Sequence, residues 1–458
     1  MYNVLLTDIS IENFKNVESS IIQITKIPVS LGDTSTIKGI YGQNGSGKTT
    51  VIQALDIFKN IVLRKPLRED MFFYILAGKK SCTLSFSFYI VQDDDKTKYK
   101  INYSVSIEKD ESGKCHFSNE TLKRSRYIEN EGWNNFLPVF KCTFDDPIKV
   151  FEPKNKYESL IKANKENIVN LSVAYKLAKE KNISLLFSKD LSNILKDSED
   201  SELYTLVSII TKYTKHKLFI IQNSHNGIIS LDVMPLVVLY HFDDNRILTG
   251  EILITLTEPM VTTKEQYEVV SNLITNMDKV MGALVPGLSV FIKPHGPQSL
   301  QDGTEGMRYE LMSKRGESEF PIRYESEGIK KILSVLSIII AMYNDPSICV
   351  AIDELDAGIF EILLGSLLQI IQESGKGQLI FTSHNLRPLE VLNDENIIFT
   401  TTNPKNRYIN LKGIREDNNL RDTYIRALKL GGQDESLSTE FKESHIRIAL
   451  RKAGKHGN

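Results

Sequence analysis

The chain has 458 residues, 41% of them apolar and 25% charged, which excludes a disordered chain and a disulfide-stapled mini-protein and leaves room for one to three domains. Its 56 basic and 58 acidic side chains nearly cancel, so any contact with nucleic acid must use a local patch rather than the field of the whole molecule. The four cysteines, Cys82, Cys115, Cys142 and Cys349, form no CxxC pair, which argues against a zinc ribbon or thioredoxin-type centre and suits a reducing compartment.

The first ten residues carry Asp8 and no basic flank before an apolar stretch, so they do not read as a signal peptide. Leu5 to Phe14 alternates apolar and polar residues and predicts a strand, followed by a second around Ser20 to Ile24. A short strand, Ile37 to Tyr41, runs directly into Gly42. Val51, Ala54, Leu55, Phe58 and Val62 then fall on one face of a helix. Ser81 to Val91 and Lys98 to Ile107 predict a hairpin whose tip is the charged run Gln92 to Asp95, and Phe140 to Phe144 predicts a strand that joins it.

From Pro153 to His216 the composition shifts to Lys, Asn, Ser and Leu, with helical spacing in Ile168 to Ala178 and Leu203 to Tyr213. These stretches are too short for a long coiled coil and predict an inserted helical subdomain, which Ile252 to Met260 and Tyr267 to Val285 continue. The lysines between Lys154 and Lys181 are mixed with acids and read as a solvated face. Pro294, Gly296, Pro297, Gly303 and Gly306 mark a break before a strand at Met307 to Lys314. A helix follows Ser326, a strand spans Ile348 to Ile352, a helix Ile359 to Glu373, and a strand Leu379 to Thr382. This alternation predicts an α/β fold with a mostly parallel sheet covered by helices. The longest apolar run, Ile332 to Tyr343, is broken by Ser334 and Ser337 and falls short of the roughly 20 residues of a membrane span. The expectation is a cytoplasmic protein with no membrane contact.

Gly42-Gln43-Asn44-Gly45-Ser46-Gly47-Lys48-Thr49 fits the pattern GxxxxGK followed by Ser or Thr, set between a strand and a helix. Glycines let a loop wrap phosphates with its N–H groups turned inward, and the helix N-terminus adds partial positive charge. Gly42, Asn44, Gly45, Ser46, Gly47, Lys48, Thr49 and Thr50 are therefore the expected nucleotide-binding residues. Lys48 is expected to reach the β- and γ-phosphates of ATP, and the Thr49 hydroxyl to hold Mg²⁺. The strand Ile348 to Ile352 ends in Asp353 and Glu354, the acid pair of a Walker B strand, with Asp353 expected on Mg²⁺ and Glu354 on the attacking water. One strand later Phe381-Thr382-Ser383-His384 places His384 where it can sense the γ-phosphate. Glu325-Ser326-Glu327-Gly328 opens a helix, either as simple capping by Ser326 or as an approach for a phosphate at Gly328.

In this order the motifs resemble the ABC-type ATPase heads of the RecF, OLD and SMC proteins. Ile11-Glu12-Asn13-Phe14-Lys15 is similar to the start of those heads, which implies that Lys15 approaches the nucleotide. Asp353 to Leu364, Thr382 to Glu390 and Asn418 to Gly432 are closer to the stand-alone AAA-family ATPases of bacterial anti-phage systems, such as Septu PtuA, PARIS AriA and the abortive-infection AbiL ATPases. The resemblance implies a P-loop NTPase head with an antiparallel β subdomain and an inserted helical subdomain. It divides the chain into 1–150, the N-terminal half with P-loop and β-hairpin; 151–300, the mainly helical insert; 301–415, the C-terminal half with signature, acid pair and histidine; and 416–458, a tail for partner docking. It further implies a homodimer or higher homo-oligomer with ATP between two heads, so that Ser326, Glu327 and Gly328 serve the nucleotide of the opposite subunit. Three departures stand out. The signature is Ser-Glu-Gly rather than Ser-Gly-Gly, Phe360 stands in place of the D-loop aspartate of SMC proteins, and Gln92, in the hairpin tip, is no convincing Q-loop glutamine.

The remainder after His384 leaves no room for a Toprim domain, so an effector nuclease of HNH or Toprim type is expected as a separate chain. The leading expectation is thus an ATPase that regulates such an effector in anti-phage defence. A RecF-like repair ATPase and a scaffold that binds ATP but hardly hydrolyses it are the alternatives. His445, Arg447, Arg451, Lys452, Lys455 and His456 make the tail basic, as a partner-docking or DNA-contacting segment or as a solvated terminal helix.

Overall fold

The computed structural model describes residues 2–27, 35–92, 98–129, 131–144, 152–196, 201–244, 246–412, 419–438 and 443–454. The hairpin tip at Asp93 to Asp95, Asn418, and Lys455 and His456 of the tail lie outside the described residues. Its centre is a six-stranded sheet. In chain order the strands and the helices against them are β1 (Thr36–Tyr41), α1 (Lys48–Val62), β2 (Leu218–Ile221), α2 (Glu327–Asn344), β3 (Cys349–Ile352), α3 (Glu361–Ser374), β4 (Gln378–Thr382), β5 (Ile397–Thr400) and β6 (Tyr408–Ile409). The strand order is β6-β5-β1-β4-β3-β2, parallel throughout except for β6 at the edge.

Both faces of this sheet are covered, so its strands read as continuous apolar runs. Alternate side chains feed two cores. Ile40, Cys349, Ala351 and Ile380 join α1 and the antiparallel sheet on one side. Tyr41, Val350, Ile352, Leu379 and Phe381 join α2 and α3 on the other. The sheet register aligns Ile352 with Phe381 and Phe381 with Gly39, so β1, β3 and β4 end at one edge. In open α/β sheets that edge is where ligands bind.

A seven-stranded antiparallel sheet packs over α1. Its path runs Val17–Gln23, Tyr2–Phe14, Ser81–Gln92, Lys98–Lys109, Cys115–Ile128 and Gly132–Trp133, with Leu137–Thr143 paired to Cys115–Ile128. The hairpin expected at Ser81 to Ile107 forms. The strand expected at Phe140 to Phe144 forms as Leu137–Thr143 and, among the described residues, joins the sheet through Cys115–Ile128. The Gln378 side chain clamps the two sheets together, accepting from the Leu6 N–H (2.9 Å) and donating to the Leu6 carbonyl (2.9 Å).

Helices do occupy Lys154–Ala163, Asn167–Lys181, Lys189–Lys196 and Ser201–His216. Beyond His216 the expected helical insert gives way to strands. Leu218–Ile221 is β2, paired parallel with β3, and Ile247–Thr255 forms a hairpin with Val233–His241, so the helical reading of Ile252 to Met260 is corrected. Lys264–Leu284 is a helix, as Tyr267 to Val285 predicted. The Gly/Pro stretch is also corrected: Leu288–Ser299 is one long strand carrying Pro294, Gly296 and Pro297, with a register shift between Pro294 and Gly296. It lies at the edge of its sheet, where a proline's missing N–H breaks no inner ladder. Among the described residues no helix is long and apolar enough to cross a membrane.

One buried carboxylate joins the helical stretch to the antiparallel sheet. Glu120 is fully buried and accepts from the Tyr103 hydroxyl (2.8 Å) and the Leu185 N–H (2.9 Å). It also accepts from the Leu186 N–H (3.4 Å), so removing it strands three buried donors. Glu120→Ala is therefore expected to destabilise the fold by about 3 kcal/mol, read as a lower midpoint in chemical unfolding.

Candidate functional site

The loop after β1 turns through left-handed backbone at Gly45 (φ 75°) and Gly47 (φ 103°), conformations that glycine adopts without strain. Three distant segments hold it in shape. The Tyr408 hydroxyl donates to the Gly47 carbonyl (2.7 Å), and Asn16 Nδ2 donates to the Gly45 carbonyl (2.6 Å). Ser46 Oγ donates to the Gln43 carbonyl (2.6 Å) and meets Thr400 Oγ1 at the end of β5. Gly42 has no room for a side chain, since a Cβ there would stand 1.6 Å from Thr400 Oγ1.

α1 begins at Lys48, so its positive end opens onto the loop. The Lys48 ammonium folds back over the loop and donates to the carbonyls of Gly42 (2.8 Å) and Gln43 (2.9 Å). Burial pulls its pKa below the ordinary lysine value, against the opposing pull of Asp353, Glu354 and Asp356. Beside it a short series of hydrogen bonds joins the start of α1 to the ends of β3 and β4. The Thr49 hydroxyl donates to Asp353 Oδ1 (3.1 Å), the Thr382 hydroxyl donates to the same oxygen (2.6 Å), and the Glu354 N–H donates to Thr382 Oγ1 (2.8 Å).

A hydroxyl and a carboxylate this close are hard oxygen donors of the kind Mg²⁺ takes. Among the described residues no group of three or more His, Cys, Asp and Glu could hold a metal.

Glu354 sits in left-handed backbone (φ 51°), a conformation that costs a non-glycine residue about 1 kcal/mol or more. Its carbonyl accepts from the Ala357 N–H (3.1 Å) and from the buried Lys331 ammonium. Burial pushes Lys331 down to about 8, against the pull of Asp356, Glu354 and Asp353. Asp356 takes the backbone N–H groups of His384 (3.1 Å) and Asn385 (2.9 Å), which fixes the turn after β4 and leaves the His384 side chain exposed.

A cleft of about 770 Å³ gathers Lys15, Asn44, Gly45, Gly47, Lys48, Thr49, Thr50, Glu354 and His384. Lys15 reaches it from left-handed backbone (φ 54°), with its ammonium 4.7 Å from the centre of the Tyr74 ring, and burial lowers its pKa. Ser326 and Glu327 are exposed, Gly328 is buried, and none of the three lines this cleft. Ser326 caps α2, its hydroxyl accepting from the Ile329 N–H (3.4 Å). A Cβ on Gly328 would lie 1.9 Å from the Gly358 carbonyl oxygen. The bareness of Gly328, expected to admit a phosphate, is used by a contact within the chain.

The cleft also holds residues that sequence reasoning missed. Asn16 follows Lys15 directly and was within reach of that motif. Thr382 lies in the Thr-Ser-His run, and its hydroxyl one strand from Asp353 was the signal. Phe72 and Phe73, with ring centroids 3.9 Å apart, and Gln53 of α1 also line the cleft. Nothing in the local pattern around the two phenylalanines points to a ligand.

Solved structures similar to this chain include an Smc head bound to the C-winged helix domain of ScpA, at 15% identity over 89% of this chain and 98% of that one, with a TM-score of 0.41. The SMC head domain from Thermotoga maritima is 12% identical over 89% of this chain and 99% of that one (TM-score 0.38). The recombination mediator protein RecF with ATP is 12% identical over 84% and 94% (TM-score 0.34). No curated protein matches the chain. The family model described as the AAA ATPase domain matches residues 5–387, most of the length, with every residue of the P-loop cleft inside that span. The chain belongs to the AAA ATPase domain family.

Proposed function

We propose that the chain binds ATP with Mg²⁺ and hydrolyses it in a site that a second copy of the chain completes. The observation that carries this reading is the series Thr49–Asp353–Thr382–Glu354 at the mouth of the P-loop. It sets a metal-binding pair and a candidate general base on one hydrogen-bonded frame. Lys48 exchanges its two loop carbonyls for phosphate oxygens, and the loop N–H groups cradle the phosphates. Mg²⁺, held by Thr49 and Asp353, supplies charge neutralisation at the β- and γ-phosphates when bound. Glu354, fixed through its backbone at both N–H and carbonyl, accepts a proton from the attacking water. His384 faces the γ end, Lys15 adds positive charge, and Phe72 and Phe73 offer flat apolar faces to a base.

The second copy is inferred from what the cleft lacks. The N-terminus of α2, with Ser326 and Glu327, faces solvent and is free to meet the γ-phosphate of a partner. Tyr324 (67% exposed), two residues before Ser326, and Phe360 (66%) and Ile362 (54%), which follow the Gly358 that packs on Gly328, offer apolar surface that pairing would remove from water. In the cell, this ATP-dependent pairing would control a separate effector in anti-phage defence, a nuclease of HNH or Toprim type. The support is the residue resemblance at Asp353 to Leu364 and Thr382 to Glu390. Plaque counts on cells carrying the chain with its neighbouring reading frame test that role, and protection that survives Glu354→Gln would count against it.

Lys48→Ala is expected to abolish measurable ATP binding in calorimetry. Glu354→Gln should keep binding and lower phosphate release about 10²–10³-fold, and hydrolysis untouched by either change would overturn the reading. With MgATP, Glu354→Gln should run as a dimer in light scattering, and adding Ser326→Arg should return it to monomer. Asn16→Ala removes one brace of the P-loop, worth about 1.4 kcal/mol, and is expected to weaken ATP affinity about tenfold.

A further inference from the structure

α2 touches the turn after β3 at two points. One is Gly328, whose Cα lies directly against the backbone of Gly358. The other is Lys331, three residues on and so on the same helix face. Lys331 is 4% exposed, and its ammonium is spent on the carbonyl oxygen of Glu354. The neighbouring lysine does something else: the Lys330 ammonium goes to Asp232 (3.4 Å) and to the Arg323 carbonyl (3.4 Å). The helix whose N-terminus carries Ser326 is thus tied to the residue whose carboxylate is the proposed general base. The tie lies on the backbone, where it bears on the left-handed conformation of Glu354 and leaves the carboxylate free.

A buried lysine is costly to desolvate, and the side chain that keeps it here answers a geometric need. Left-handed backbone at Glu354 turns its carbonyl inward, where Ala357 N–H alone would satisfy one of two lone pairs. Lys331 fills the second and adds a charge-assisted bond, which is stronger than a neutral one. We infer that Lys331 is a positioning residue for hydrolysis: it holds the Glu354 turn in its reactive pose and passes movement of the signature end of α2 to that turn. This rests on the proposed ATP hydrolysis.

The test uses the full chain and three readouts. Lys331→Met keeps length and removes the donor. It is expected to lower kcat for ATP at least tenfold while the dissociation constant for a fluorescent ADP changes less than twofold. Amide exchange at Ala357, whose N–H shares the Glu354 carbonyl, should quicken about tenfold even without nucleotide. Lys330→Met, an equally buried lysine on the same helix, should leave kcat within twofold. Unchanged kcat in Lys331→Met, unchanged exchange at Ala357, or an equal loss of kcat in Lys330→Met would each overturn the assignment. If Lys331→Met does not fold, Lys331→Gln, polar but too short to reach the carbonyl, is read by the same criteria. A wild-type chain without hydrolysis overturns the ATPase reading itself, and exchange at Ala357 then decides whether Lys331 holds the turn.

Discussion

Parallel pairing of β1, β4 and β3 governs the rest of this molecule. Parallel strands end on the same side, and here three neighbours do so in register, Gly39 beside Phe381 beside Ile352. The next residues of each strand carry different chemistry: a glycine loop, a hydroxyl followed by a histidine, and two carboxylates. Chain segments separated by hundreds of residues in sequence are thereby brought within one hydrogen bond of each other, as Thr49 and Asp353 show at 3.1 Å. A strand slipped by one residue would carry Asp353 into the apolar position of Ile352 and move Ile352 to the opposite core. The apolar side chains on both faces prevent that slip, because each alternate residue is committed to one of two separate cores.

The site is braced on several sides. Residues from the start of the chain and from near residue 408 grip the P-loop, through Asn16 on Gly45 and Tyr408 on Gly47. Arg407 links the two braces by donating to the Asn16 carbonyl (2.7 Å). On the other side Thr382 and Lys331 take the backbone of Glu354 at N–H and carbonyl. Backbone held in this way keeps a strained residue in place without using its side chain. The Glu354 side chain thus takes no part in fixing its own main chain.

Legibility in the sequence followed how local each requirement is. The phosphate loop must be contiguous, so Gly42 to Thr49 could be read directly. The acid pair at the end of an apolar strand and the capped helix after Ser326 were legible for the same reason. Asn16 directly follows Lys15, yet its contact to Gly45 is set by the fold, and Phe72 and Phe73 act only through the shape of the cleft, with no pattern of their own. Leu218–Ile221 is four residues long and follows a helix, and only its pairing with Cys349–Ile352 makes it a strand. Cys115–Ile128 was obscured by Glu120, a charge at an inward position that makes sense only once Tyr103 and Leu185 are seen to satisfy it. The prolines of Leu288–Ser299 read as a break, since edge position is a property of the sheet.

The grip of Tyr408 on Gly47 has a consequence for how the protein is made. The P-loop emerges from the ribosome early, but its clamp is synthesised some 360 residues later. β3 and β4, which present the acids and the histidine, also come late. At an elongation rate of about 5–20 residues per second, the glycine loop waits tens of seconds beside a sheet that does not yet exist. During translation the first half of the chain has a phosphate-binding sequence without a phosphate-binding shape.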